Sequence, residues 1–217
     1  MRCLVTAGPT FEPLDDVRRL TNFSTGRLGC ELAASLFDTG HEVLLLLGEQ
    51  STWPGPRRAS RVEAFTTTAD LGDRLRKAGS DGMDAVFHAA AVSDFTFGTV
   101  WRRDADGGMS QVRGGKIPTR EGNLLAELVP TRKLIAELRD WFPRARLVGW
   151  KYEVDGGRTQ ALEAAALQTA TCRTDGCVAN GPAYGPGFAL VRPGGNWRHL
   201  PDAPGLCQAL ADEYLGG

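Results

Sequence analysis

The chain has 217 residues, a formal net charge of −1 at pH 7, and 42% hydrophobic residues. This length suits one large domain or two small ones. The balanced charge provides no global field for nucleic acid or an anionic membrane, and no apolar run approaches the ~20 residues of a membrane-spanning helix. The N-terminus lacks the pattern of a secretory signal peptide. We therefore expect a cytoplasmic protein that binds neither nucleic acid nor membranes.

The cysteines and histidines show no metal-binding or disulfide pattern. The five cysteines are odd in number, scattered and without a C-x-x-C spacing, which favours buried, reduced thiols. His41, His88 and His199 are far apart in sequence. We therefore expect no metal site built from protein side chains.

Short apolar segments alternate with helical patterns along the chain. Strands are predicted at 2–7, 43–47, 85–89, 147–150 and 176–179, and a hairpin at 188–191 and 197–200. Helices are predicted at 28–37, from Thr68 or Asp70 as N-cap to 78, and at 131–142, 158–171 and 204–215. This alternation predicts an α/β, Rossmann-like, doubly wound and mostly parallel sheet with helices on both faces.

The region from Phe95 to Leu125 departs from this alternation, because it is long, polar and rich in glycine. A hairpin turn is predicted at Asp106-Gly107-Gly108. We interpret residues 1–217 as one nucleotide-binding domain in which this excursion forms a subdomain, an oligomer contact or a flap.

The segment after the first strand is the most informative part of the chain. Residues 8–29 separate this strand from the first helix, whereas such connections usually take about 2–6 residues. The segment also lies where open parallel sheets bind ligands. It contains neither a Walker loop nor the G-x-G-x-x-G fingerprint. Gly8 still permits close approach of a ligand to the backbone, although a tight structural turn explains it equally well.

The end of this segment, Asn-Phe-Ser-Thr-Gly-Arg-Leu-Gly, leads directly into the first helix. Ser24 and Thr25 are N-cap candidates. Free amides at a helix N-terminus form an anion site, and Gly26 and Gly29 would let a phosphate or carboxylate come close. The alternative is a capping sequence with glycines that serve helix packing.

Small and polar residues also follow the third predicted strand and occupy the excursion. Ala90 belongs to a run of small residues against which a flat ligand can lie, and Asp94 is a candidate partner for ribose hydroxyls. A cap of the next turn is the alternative for Asp94. Lys116 lies in a glycine-rich loop and would offset the charge of a triphosphate if that loop closes. A solvated lysine is the alternative.

Lys151 and Asn180 follow the next two strands. Because the carboxyl ends of parallel strands share one edge of a sheet, we expect all these segments to converge on one site.

Taken in order, six segments resemble those of phosphopantothenoylcysteine synthetase, or phosphopantothenate–cysteine ligase, of the free-standing type. They are Thr-Ala-Gly-Pro-Thr-x-Glu-Pro-Leu-Asp-x-Val-Arg, Thr-Asn-x-Ser-Thr-Gly-Arg-Leu-Gly, Ala-Ala-Val-Ser-Asp, Lys-Ile, Val-Gly-Trp-Lys-Tyr-Glu and Val-Ala-Asn. The resemblance spans nearly the whole chain, and its first block, residues 6–29, is the most specific.

The resemblance implies a ligase of coenzyme A biosynthesis. It would join 4′-phosphopantothenate and cysteine through an acyl-nucleotide intermediate, at the expense of CTP or ATP with Mg²⁺, and family members generally form homodimers. The implied catalytic residues are Asn22, Lys116 and Asn180. The implied nucleotide-binding residues are Gly8, Ser24, Thr25, Gly26, Gly29, Ala90, Asp94 and Lys151.

The chain departs from the family pattern in several places, including the flap and the residue after Asn180. Pro118 and Thr119 stand where many members have two further flap lysines, and Gly181 stands where many have Asp. Arg120 or Lys133 is a candidate to supply the missing charge. Two alternatives stay open: a catalytically weakened nucleotide-binding relative, and a nicotinamide-dependent oxidoreductase. The missing G-x-G-x-x-G and Tyr-x-x-x-Lys patterns argue against the oxidoreductase.

Overall fold

The structure is a computed structural model that describes residues 1–112, 114–118 and 122–216. The first strands are β1 (Arg2–Ala7), β2 (Phe11–Pro13), β3 (Arg19–Thr21), β4 (Glu42–Gly48), β5 (Arg61–Phe65) and β6 (Ala85–His88). The later strands are β7 (Phe95–Arg103), β8 (Met109–Gln111), β9 (Asn123–Pro130), β10 (Arg146–Tyr152), β11 (Gly176–Asn180), β12 (Phe188–Val191) and β13 (Trp197–Leu200). The α-helices are α1 (Arg27–Asp38), α2 (Thr68–Ala78), α3 (Leu134–Trp141), α4 (Arg158–Cys172) and α5 (Ala203–Ala211).

An eight-stranded sheet with the order β13-β12-β11-β10-β6-β1-β4-β5 forms the centre of the molecule. The six strands from β11 to β5 run parallel, whereas β12 pairs antiparallel with both β11 and β13. The chain moves from β1 outward through β4 and β5 and then returns to β6 on the other side of β1. The predicted fold class is therefore confirmed, and the boundary between β1 and β6 is the switch point at which such sheets bind ligands.

The two faces of the sheet carry separate apolar cores. Cys3, Val5 and Phe87 pack with α1 and α5 on one face. Leu4 and Val86 pack with α2 and α3 on the other face, where α4 also lies against β10 and β11. This alternation follows from the strand pleat, and it fixes the direction of the polar side chains at the strand ends.

Several local predictions about elements are wrong or incomplete. The exposed edge strand β5 and the short β2–β3 ladder were not predicted. The last predicted helix leaves the α-helical geometry at Ala211 and ends in a π-helical turn, Asp212–Gly216. Helix α2 is capped by Thr67, whose Oγ1 accepts from the Asp70 amide at 3.2 Å, rather than by Thr68 or Asp70.

The excursion forms a three-stranded antiparallel sheet with the order β8-β7-β9. Its predicted turn is present: the Gly108 amide donates to Asp106 Oδ1 at 3.1 Å, and Gly107 has a φ of 89°. Thr119 and Arg120, named above, lie outside the described residues. In the described part of the chain no helix is long and apolar enough to cross a membrane.

Candidate functional site

The loop after β1 folds back over the carboxyl ends of β1 and β6. The Ala91 amide donates to Gly8 O at 3.0 Å, and the Thr10 amide donates to Ala91 O at 3.1 Å. The same Ala91 carbonyl accepts from Asn22 Nδ2 at 3.0 Å. This bond leaves Asn22 Oδ1 exposed at the sheet edge, directly beside the segment that follows β6.

A first cavity of about 380 Å³ lies between the start of α1 and the end of β11. It brings together five of the predicted site residues: Ser24, Thr25, Gly26, Gly29 and Asn180. Its lining residues are Ser24, Thr25, Gly26, Arg27, Leu28, Gly29, Glu31, Ala89, Asn180, Phe188 and Ala203. Segments separated by more than a hundred residues in sequence therefore converge here, as the strand-end argument predicts.

Helix α1 begins differently from the prediction. Its N-cap is Gly26, with a φ of 81° in the left-handed region, so the choice of Ser24 or Thr25 is wrong. A glycine adopts this conformation without the steric cost that a side chain would bring. The Thr25 carbonyl instead accepts from Ser51 Oγ at 2.7 Å. Within the described residues, the Leu28 and Gly29 amides have no backbone partner, and both residues line the first cavity.

Packing alone accounts for two of the glycines in this segment. A Cβ at Gly29 would come within 2.6 Å of Ala7 Cβ, and a Cβ at Gly26 would come within 2.5 Å of Ser51 Oγ. The close packing around the start of α1 therefore requires small residues at these positions even when no ligand is bound. The nucleotide-binding roles of Gly8, Gly26 and Gly29 stay predictions.

A second cavity of about 150 Å³ lies on the other side of the segment that follows β6, on the sheet face covered by α3 and α4. Ala90 and Asp94 line it, and Lys133 Nζ forms an ion pair with the Asp94 carboxylate. Ala89 lines the first cavity and Ala90 the second, so the two hollows are adjacent. Lys133 therefore lies beside Asp94, the residue expected to bind the ribose. It does not belong to the flap, whose missing charge it was a candidate to supply.

Lys116 and Lys151 line neither of these two cavities. Lys116 is exposed. Lys151 Nζ pairs with Glu153 Oε1 at 3.0 Å on β10. Their predicted roles require contact with a ligand that extends beyond the cavities, and they stay predictions.

Asp15 and Arg18 attach the loop after β1 to the flap segment that carries Lys116. The Asp15 side chain is inaccessible to solvent, and its Oδ2 accepts from the Ile117 amide at 3.1 Å. Arg18 pairs with the same carboxylate at 2.5 Å and donates to Ile117 O at 2.6 Å. The Arg18 guanidinium and the Ile117 amide hold the pKa of Asp15 well below its usual range.

Sequence reasoning assigned no role to Asp15, Arg18 or His88. Asp15 and Arg18 belong to the Asp-x-Val-Arg segment noted above. Their partner, Ile117, lies about a hundred residues further along the chain, so no local pattern connects them. His88 is 5% exposed at the end of β6, and burial lowers its pKa to about 4. The imidazole is therefore neutral at physiological pH.

Residues 1–190 match the family model of the DNA/pantothenate metabolism flavoprotein C-terminal domain. The chain belongs to this family. The resemblance found in the sequence is thereby confirmed at the family level.

Two curated relatives of this family domain illustrate the similarity. One is the coenzyme A biosynthesis bifunctional protein CoaBC of Bacillus subtilis, 32% identical over 187 residues, which are 85% of this chain and 41% of the relative. The other is a cysteine/cysteine sulfinic acid decarboxylase from an unknown prokaryotic organism, 32% identical over 161 residues, which are 74% of this chain and 41% of the relative. The chain therefore spans about two fifths of the length of these relatives.

Two solved structures share the fold. The DNA/pantothenate metabolism flavoprotein from Streptococcus pneumoniae superposes with a TM-score of 0.85 at 24% identity, over 98% of this chain and 97% of that one. A Cab2 variant in complex with phosphopantothenate-cysteine has a TM-score of 0.72 at 18% identity, over 99% of this chain and 87% of that one.

Proposed function

We propose that this chain is a phosphopantothenate–cysteine ligase of coenzyme A biosynthesis. The observation that carries the proposal is the pair of adjacent hollows at the sheet edge, separated by Ala89 and Ala90, with Asn22 bound beside them. The family match supports the proposal, as does a similar fold that holds phosphopantothenate-cysteine in Cab2.

The reaction would proceed in two steps. A carboxylate oxygen of 4′-phosphopantothenate attacks the α-phosphorus of the nucleoside triphosphate, and pyrophosphate leaves. The amine of cysteine then attacks the acyl carbon, loses a proton, and displaces the nucleoside monophosphate. Both substrates are anions, so the protein mainly has to hold them in contact and offset their repulsion.

The first cavity is suited to negatively charged groups. The amides of Leu28 and Gly29, which have no backbone partner in the described part of the chain, lie at the positive end of the α1 dipole, which favours a phosphate or carboxylate. The hydroxyls of Ser24 and Thr25 and the amide of Asn180 add neutral donors. These groups would bind an anion without requiring a buried positive charge.

The second cavity would hold the nucleoside. Asp94 would accept hydrogen bonds from ribose hydroxyls, with Lys133 beside it to balance its charge. Lys116 would reach the phosphates from the flap. We propose CTP or ATP as the co-substrate and a homodimer as the working assembly, which light scattering of the purified chain would test.

Magnesium would accompany the triphosphate. In the described residues no group of three or more His, Cys, Asp or Glu side chains could hold a metal ion. Mg²⁺ that accompanies a nucleotide is usually held mainly by phosphate oxygens and water, and we propose that arrangement here.

Pyrophosphate release tests the proposal. Each of CTP, ATP, GTP and UTP is incubated with 4′-phosphopantothenate and cysteine, and each of these two substrates is then omitted in turn. Release should require phosphopantothenate and one of the first two nucleotides. Asn22→Ala should lower kcat by about 10²–10³, because the second Nδ2–H, which the bond to Ala91 O does not use, would be a positioned donor at the reacting centre. Asn196→Ala, in the exposed β12–β13 turn, is the matched control and should leave the rate unchanged.

The outcomes separate the alternatives. No pyrophosphate with any of the four nucleotides would contradict the ligase. Tight nucleotide binding without turnover would favour the weakened relative. Quenching of nicotinamide fluorescence would favour the oxidoreductase.

A further inference from the structure

His88 points into the second cavity. It is the last residue of β6 and follows Val86 on the face covered by α2 and α3, because alternate strand residues share a face. It lines the second cavity, and its 5% residual exposure marks it as nearly enclosed. Its role is not explained by the reaction steps described above.

The hydrogen bonds around His88 fix its tautomer. The Ala90 amide donates to Thr6 Oγ1 at 3.1 Å, and Thr6 Oγ1 lies 3.0 Å from His88 Nδ1. Among the described residues, Nδ1 is the one acceptor available to the Thr6 hydroxyl proton. Nδ1 therefore accepts, and in the neutral ring the proton resides on Nε2. Nε2–H has no hydrogen-bond partner within the ranges that the structure describes.

Gln168 provides a complementary group beside His88. Its Nε2 donates to Trp150 O at 3.4 Å and to Cys177 Sγ at 3.2 Å, which leaves Oε1 as an unpaired acceptor among the described residues. Gly149 is paired with His88 in the sheet, and a Cβ there would come within 2.6 Å of Gln168 Nε2. The amide of Gln168 therefore lies over the strand next to His88, and both residues line the same cavity.

We propose that His88 is a specificity-determining residue of the nucleotide site: its Nε2–H donates to a ring nitrogen or carbonyl oxygen of the base, while Gln168 Oε1 accepts from an exocyclic amino group. This inference rests on the proposed function. Cytosine and adenine carry such an amino group, whereas uracil and guanine present a carbonyl oxygen in its place. The pair would therefore select amino-bearing bases, because a mismatched base leaves buried polar groups unpaired.

Two substitutions separate this role from a structural one. His88→Asn keeps an amide at the level of Nδ1 for Thr6 but has no donor at the position of Nε2. His88→Gln extends its NH₂ group to the position of Nε2 but gives up the contact with Thr6. The control is His41→Asn at the opposite, amino-terminal edge of the sheet, where His41 contacts Met1.

Steady-state kinetics with all four nucleotides test the inference. His88→Asn should lower kcat/KM for the preferred nucleotide about 10- to 100-fold, mainly through its KM, and leave the KM values of phosphopantothenate and cysteine unchanged. His88→Gln should recover most of this loss. Gln168→Leu should shrink the CTP-to-UTP and ATP-to-GTP preference ratios by about tenfold or more.

The inference is overturned if His88→Asn keeps the wild-type nucleotide KM and base ranking, or if His88→Gln is the more damaged variant. Neither result concerns turnover by the wild type, so the proposed ligase activity would not be contradicted. If the wild type releases no pyrophosphate, the proposed function fails. Nucleotide affinities of the same variants, measured by calorimetry, then decide the inference: a wild type that binds no nucleotide overturns it as well.

Discussion

Lowering the pH from 7 to 4 should destabilise the protein through His88. Burial lowers the pKa of this imidazole from 6.5 to about 4. Below pH 6.5 this histidine takes up a proton in the unfolded chain, whereas in the folded chain it does so only near pH 4. The stability that the neutral, buried imidazole contributes is therefore fully present above pH 6.5 and is lost as the pH falls. The gap between 6.5 and about 4, at 1.36 kcal/mol per pH unit, corresponds to about 3 kcal/mol of unfolding free energy.

Urea unfolding of the wild type and of His88→Asn at pH 7, 6, 5 and 4 measures this contribution. Carboxylates titrate alike in both proteins, so they cancel in the difference between the two unfolding free energies. The advantage of the wild type at pH 7 should fall by about 3 kcal/mol at pH 4, with most of the change below pH 6.5. If the difference between the two unfolding free energies stays constant across this pH range, the conclusion that the His88 imidazole is buried and neutral is refuted.

Three further substitutions test other parts of the structure. Asp15→Asn should weaken the attachment of the flap, so amide exchange at Ile117 should accelerate while global stability changes little. Gly29→Ala should destabilise by about 1–3 kcal/mol in urea unfolding, because its Cβ would come within 2.6 Å of Ala7 Cβ; an increase in stability, as alanine's helix propensity alone predicts, would contradict this packing. Asp202→Ala should cost about 1 kcal/mol, since this side chain caps α5.

The sheet was predictable because its central strands are continuous apolar runs. Residues such as Leu4 and Val86 are buried on a face that a helix covers, and such strands have a strong sequence signal. Strand β5 lacks this signal, because it is an edge strand whose first residues are exposed. The β2–β3 ladder depends on tertiary contact with β7, which no local pattern reveals.

The location of the candidate site was predictable from topology, but its details were not. Polar segments at the ends of β1, β6 and β11 had to share one edge, and Asn180 does line a cavity with the start of α1. The N-cap prediction failed because Gly26 adopts a left-handed conformation that its Ser-Thr context concealed. The tautomer of His88 depends on Thr6, which is 82 residues away, and only the folded chain brings them together.

The most direct test of the proposed acyl-nucleotide route follows an oxygen atom of the phosphopantothenate carboxylate. 4′-Phosphopantothenate labelled with ¹⁸O in its carboxylate is converted with cysteine and the preferred nucleotide, and the nucleoside monophosphate is analysed by mass spectrometry. Attack of the carboxylate on the α-phosphorus predicts that one ¹⁸O atom is transferred to the monophosphate. A monophosphate without label, formed together with the amide product, would contradict the acyl-nucleotide route.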